Sequence, residues 1–144
     1  MKMLAQKNVL LTGAAGGIGT FIARALVAKK ARVVCVGRSQ ASLAALLAGD
    51  VIALPFDLKN LDALPTLVQE AERLAGPIDV LINNAAIEKH RPFQHYSLAD
   101  FQAITTTNQL APMALGQLLL PGMLAREEGH IVNISSGAGK RLES

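Results

Sequence analysis

The sequence predicts an α/β fold built on a doubly wound parallel sheet, and three observations predict it. Short apolar runs rich in β-branched residues recur without polar alternation, the pattern of strands covered on both faces. Segments with helical spacing separate them, so the order reads β-α-β-α-β-α-β-α-β. A glycine-rich turn follows the first run and opens the first helical segment. Alternation of this kind gives right-handed crossovers and places helices on both faces of the sheet.

The five runs are 9–11, 33–36, 51–54, 80–82 and 131–134, and each is expected to be a buried parallel strand. Helical spacing covers 18–29, 40–47, 61–74 and a long stretch from Ser97 to about Arg126, with a break expected near Pro112. Leu118 to Leu120 and Met123 read as a packed helix face. Ser136 to Ser144 is polar and glycine-containing, so it reads as a loop or an unfinished connection. No repeat, low-complexity segment or linker divides the chain, and residues 1–144 read as one domain, incomplete at its C-terminal end because no helix returns across the sheet after the fifth strand. Such a half-built sheet is expected to expose apolar surface and to leave the isolated chain marginally stable or prone to aggregate.

Composition removes several classes. With 144 residues and 51% apolar content the chain can bury a real core. Its net charge of +3 comes from scattered residues such as Lys29, Lys30, Arg38, Lys89 and Arg91, not from one block, which argues against a nucleic-acid partner. Cys35, the single cysteine, excludes an internal disulfide and lies in the apolar run 33–36, where a buried structural thiol in a cytoplasmic protein is the expectation. Lys2 and the apolar stretch after it imitate a secretory leader, but that stretch ends in the glycine pattern. Leu110 to Ala125 is broken by Pro112, Gly116 and Pro121 and is shorter than the roughly 20 residues of a membrane span. His90, His95 and His130 lack metal-ligand spacing, so no metal site is expected.

Thr12-Gly13-Ala14-Ala15-Gly16-Gly17-Ile18-Gly19 stands where glycines let a backbone approach a pyrophosphate at a helix N-terminus, although a turn of this kind can also serve tight packing alone. The glycines are spaced G-x-x-x-G-x-G, not as the general dinucleotide fingerprint G-x-G-x-x-G. T-G-x-x-x-G-I-G resembles the signature of the short-chain dehydrogenase/reductase family. Asn83-Asn84-Ala85-Ala86 resembles that family's N-N-A-G turn, with alanine where glycine is usual, at a cost of about 1 kcal/mol if the position needs positive φ. Gly129 to Ser136 resembles its fifth strand and catalytic serine. The resemblance runs from Lys7 to Gly139 in the family's order.

The resemblance implies a Rossmann-like dinucleotide-binding domain. It places the cofactor on Thr12, Gly13, Gly17, Ile18, Gly19, Arg38, Asp57, Leu58, Asn84 and Ala85, and assigns Ser136 and Asn108 to catalysis. Asp57 and Leu58 would lie beside the adenine; Asn108 would help hold a water for the proton relay. After the second strand an NAD enzyme carries an acid, whereas Gly37 and Arg38 stand here, and a guanidinium suits a 2′-phosphate. NADP is favoured over NAD. The implied activity is hydride transfer between the nicotinamide and a small-molecule carbonyl or alcohol, in a homo-oligomer. The family's catalytic tyrosine would fall about a dozen residues after Ser136. Tyr96 is the only tyrosine in the sequence and the residue four beyond it is Asp100, so it supplies no Y-x-x-x-K pair. The chain reads as a truncated, inactive part of such an enzyme; alternatives are a non-catalytic NADP-binding module or sensor, and another doubly wound protein such as a methyltransferase.

Overall fold

The computed structural model describes residues 4–46 and 48–137. In chain order it contains β1 (Asn8–Thr12), α1 (Gly17–Ala28), β2 (Arg32–Gly37), α2 (Gln40–Leu43), β3 (Val51–Pro55), α3 (Leu64–Ala75), β4 (Val80–Asn83), α4 (Leu98–Thr105), α5 (Ala111–Ala125) and β5 (His130–Asn133). The five strands form one sheet in the order β3-β2-β1-β4-β5, every pairing parallel. The chain runs outward from β1 to β3 and then crosses to β4, so the strand order reverses between β1 and β4. In an open α/β sheet a ligand crevice lies at the carboxyl ends of the strands on either side of such a reversal.

Strand geometry explains the unbroken apolar runs. Leu10 pairs in register with Val34 and Leu81, and all three enter the core under α3 and α5. Their neighbours Val9, Leu11, Val33, Cys35, Val80 and Ile82 point to the other face, under α1 and α2. Successive residues of a strand alternate between faces, so two covered faces demand apolar side chains at every position. Burial pushes the Cys35 thiol up to about 11, so it stays protonated and packs as a small hydrophobe, as the sequence indicates.

Some expectations need correction. Five buried strands are expected, yet β3, an edge strand, is only half-buried and β5 is exposed at all four positions. Ile131, Val132 and Ile134 are 40%, 41% and 42% exposed, the apolar surface anticipated at this end of the sheet. The segment from Gln40 is helical only to Leu43 and tightens into a 3₁₀ turn over Ala44–Leu46; Leu47 lies outside the described residues. The segment from Leu61 likewise opens on a 3₁₀ turn, Leu61–Ala63, before α3 begins. The break in the long helical stretch is a π-helical turn at Thr106–Leu110. Pro112 follows it at the second position of α5, in a helix that runs on from the π turn without a break. Leu115, Leu119 and Met123 form the packed face of α5, whereas Leu120 is exposed.

α4 opens on a reciprocal cap. Ser97 Oγ accepts from the Asp100 N–H at 3.1 Å, and Asp100 Oδ2 accepts from the Ser97 N–H at 3.0 Å. The Ser97 backbone N–H first, then its hydroxyl, with Lys89 and Arg91 adding, hold the Asp100 carboxyl down to about 2 from its ordinary 3.8. A depressed folded-state value stabilises the fold above the unfolded value and loses that contribution as pH falls through the folded one. The urea midpoint is therefore expected to fall more steeply between pH 3.8 and 2 in the native protein than in Asp100→Asn.

Candidate functional site

The turn leaving β1 is shaped so that only glycine fits at two of its positions. Gly13 has φ +63°, and a Cβ there would lie 2.7 Å from the Ala85 Cα. A Cβ on Gly19 would lie 2.0 Å from the Gly13 carbonyl oxygen. Gly17 is different: a Cβ there would meet nothing within 4 Å, so its emptiness faces open space. It opens α1, whose N-cap Gly16 offers no side-chain cap and whose first turn carries no acid. Uncapped N–H groups at the positive end of a helix, with open space in front of them, suit a pyrophosphate. Ile18 projects from the same turn, 63% exposed, into the cleft.

The 83–86 turn locks onto this loop by reciprocal bonds. Thr12 is buried, and its Oγ1 accepts from the N–H groups of Asn84 and Ala85, both at 3.1 Å. Asn84 Nδ2 donates to the carbonyls of Thr12 (3.3 Å) and Gly13 (3.1 Å). The side chains of Thr12 and Asn84 thus hold the loop, and the backbone between them is what remains for a ligand. Ala86 does not have positive φ, so the anticipated cost of alanine there does not arise.

Asn108 sits inside the π-helical turn, exposed, yet both ends of its amide are paired. Its Oδ1 accepts from the Ile87 N–H at 2.9 Å and its Nδ2 donates to the Ile87 carbonyl at 2.8 Å, as a neighbouring strand would. A π turn widens the helix by one residue, and such turns recur at functional sites. Asn108→Asp removes the donor and sets a carboxylate against a carbonyl. It is expected to destabilise the fold by about 1 kcal/mol, read from the denaturant midpoint.

A cleft of about 820 Å³ brings Ile18, Asn84 and Ala85 together with Asn108, Ser135 and Ser136. Thr12, Gly13, Gly17 and Gly19 are not among the residues that line it. Ser136 lies three residues past the end of β5. Arg38 is exposed at the end of β2 and has no hydrogen bond or ion pair among the described residues. A Cβ on the preceding Gly37 would meet the Leu43 Cδ2 at 2.9 Å, so packing disfavours an acid there. Asp57 stands two residues past β3, where its Oδ1 accepts from the Lys59 N–H at 3.0 Å, while Leu58 is buried against the core of α3 and α5. Tyr96 does not line the cleft; its hydroxyl donates to the Lys89 carbonyl. Lys140 lies outside the described residues. No metal-binding cluster occurs among the described residues.

Sequence reasoning missed Asn133, Met113 and Gly116, which also line the cleft. Met113 and Gly116 stand three apart on α5, a spacing that marks one helix face.

Residues 7–143 match the family described as short chain dehydrogenase. The chain belongs to that family. It is 53% identical over 98% of its length to the ketoacyl reductase HetN of a Nostoc species, of which it covers 51%. It is 37% identical over 92% of its length to the gluconate 5-dehydrogenase of Gluconobacter oxydans, of which it covers 54%. Among solved structures, it superimposes with a TM-score of 0.90 on a metagenomic short-chain oxidoreductase in complex with NADP, at 33% identity, covering 97% of this chain and 66% of that one. It superimposes equally well, at 0.90 and 30% identity, on a short-chain dehydrogenase from Streptomyces avermitilis, covering 99% of this chain and 53% of that one. The chain thus spans about half the length of the curated relatives it matches. Among the described residues no helix is long and apolar enough to cross a membrane.

Proposed function

We propose that this chain forms the nicotinamide-cofactor site and contributes the catalytic serine of an NAD(P)-dependent oxidoreductase that interconverts a small-molecule carbonyl and alcohol. The observation that carries this reading is that one cleft joins the glycine-loop side, through Ile18, Asn84 and Ala85, to Ser136. The open space at Gly17, before an uncapped helix N-terminus, fits a pyrophosphate. When bound, the cofactor supplies or accepts a hydride. Gly13, Gly17, Ile18 and Gly19 hold its pyrophosphate end, Asp57 and Leu58 flank the adenine, and Asn84 and Ala85 present backbone to the ribose. Ser136 donates a hydrogen bond to the substrate oxygen, and Asn108 fixes the π turn against Ile87, where the relay water is held.

NADP is the preferred cofactor: Arg38 offers a fork of donors with no competing partner among the described residues, and Gly37 leaves no acid to repel a phosphate. The gluconate dehydrogenase and ketoacyl reductase relatives support a carbonyl or alcohol substrate. A single buried cysteine supports a cytoplasmic setting, and exposed Leu120 and Leu124 on α5, outside the cleft lining, support a homo-oligomer. Because the 144 residues hold no Y-x-x-x-K pair, this chain by itself is expected to bind cofactor without turnover, general acid–base catalysis being worth about 10²–10⁴ in rate. In the protein expressed from its complete coding sequence, Ser136→Ala is expected to lower kcat by about 10²-fold or more while NADPH affinity holds. Unchanged kcat would remove Ser136 from the chemistry.

A further inference from the structure

β4 and β5 each end their apolar runs on an asparagine, and the two are partners in register. Their amides meet: Asn83 Nδ2 donates to Asn133 Oδ1 at 2.9 Å, and the Ile134 N–H donates to the Asn83 carbonyl at 2.9 Å. Asn83 is only 4% exposed, and its Oδ1 is buried without a hydrogen-bond partner among the described residues. A buried acceptor left unpaired is costly, so an apolar side chain would serve packing better at this position. What the asparagine does provide is the link to Asn133. The next residue, Asn84, grips the glycine loop through the Thr12 and Gly13 carbonyls, and Ser136 stands three residues beyond Asn133 in the same cleft.

We propose that Asn133 is a positioning residue: through Asn83 it fixes the Ser135–Ser136 end of β5 to the turn that carries Asn84 and Ala85. The serine and the cofactor-facing backbone are thereby held as one piece across two strands. This inference rests on the reading of the cleft as a cofactor and serine site. Asn133 touches no reacting atom in this scheme. Its effect on Ser136 is carried by the Asn83 amide and the backbone bond of Ile134.

The test uses the protein expressed from its complete coding sequence, with Asn133→Ala, Asn133→Ser and Asn133→Asp. NADPH affinity is read from the cofactor's own fluorescence, and hydrogen exchange of residues 130–137 is followed with and without saturating NADPH. NADPH is expected to slow exchange of this segment in the native protein. Asn133→Ala, or Asn133→Ser should the alanine variant not fold, is expected to reduce that protection about tenfold, the value of one hydrogen bond, a larger loss than any fall in NADPH affinity. Asn133→Asp keeps an oxygen for the Asn83 Nδ2 and is expected to restore the protection. Native protection in the alanine or serine variant, or equal loss of protection and affinity, would overturn the proposal. If the native protein itself binds neither NADPH nor NADH, the cofactor reading fails and this inference falls with it.

Discussion

Gly17→Ala and Gly19→Ala are expected to give opposite results, although the two glycines are two residues apart. On Gly19 a methyl group would lie 2.0 Å from the Gly13 carbonyl oxygen and 2.9 Å from both the Ala14 Cα and the Asn84 Nδ2. Two of these are backbone atoms and the third is held by two hydrogen bonds, so none can yield cheaply. The expected cost is about 3 kcal/mol or more, enough to unfold a marginal domain. On Gly17 the same methyl group meets no atom within 4 Å, and alanine is the better helix former. Stability is expected to hold or rise slightly. The methyl would instead occupy the space assigned to the pyrophosphate, and loss of hydrogen bonds to a charged group, worth about 1.5–3 kcal/mol, lowers NADPH affinity about 10–100-fold. Thermal melting and an NADPH titration of the two variants separate the effects. A Gly17→Ala protein that binds NADPH like the native one would place the cofactor elsewhere.

Arg38→Ala is expected to weaken NADPH about 10–100-fold and to leave NADH unchanged, because only the former carries a phosphate for the guanidinium. Arg38 is exposed and makes no ion pair among the described residues, so its loss should not lower the melting temperature. Parallel titrations with the two nucleotides decide it, and equal weakening of both would remove Arg38 from the phosphate site. Conversion toward NADH by an acid at position 37 is expected to succeed only with a smaller residue at Leu43, whose Cδ2 a Cβ there would meet at 2.9 Å.

Much of this architecture is written locally. The runs at 9–11, 33–36 and 80–82 announce strands covered on two faces, and the sheet places each within β1, β2 and β4. β5 has the same composition yet lies exposed, because burial depends on what packs against a strand and not on the strand itself. The glycine loop was legible because its demands are backbone demands, and Gly13 and Gly19 meet them through contacts a residue letter implies. Asn108 was legible by position alone. Its clamp on Ile87, 21 residues away in sequence, is a tertiary contact no local pattern encodes. The break expected near Pro112 is the π turn that ends two residues before that proline, and no local pattern marks it as a widened turn. Asn133 carried no signal of its own, since its partner lies 50 residues earlier and only strand pairing brings the two amides together.

The most direct measurement is a titration of the 144-residue chain with NADPH and with NADH, followed by cofactor fluorescence beside a thermal melt. Saturable one-site binding is expected, tighter for NADPH, with a melting transition that rises with added cofactor. A chain that melts cooperatively but binds neither nucleotide would contradict the cofactor reading.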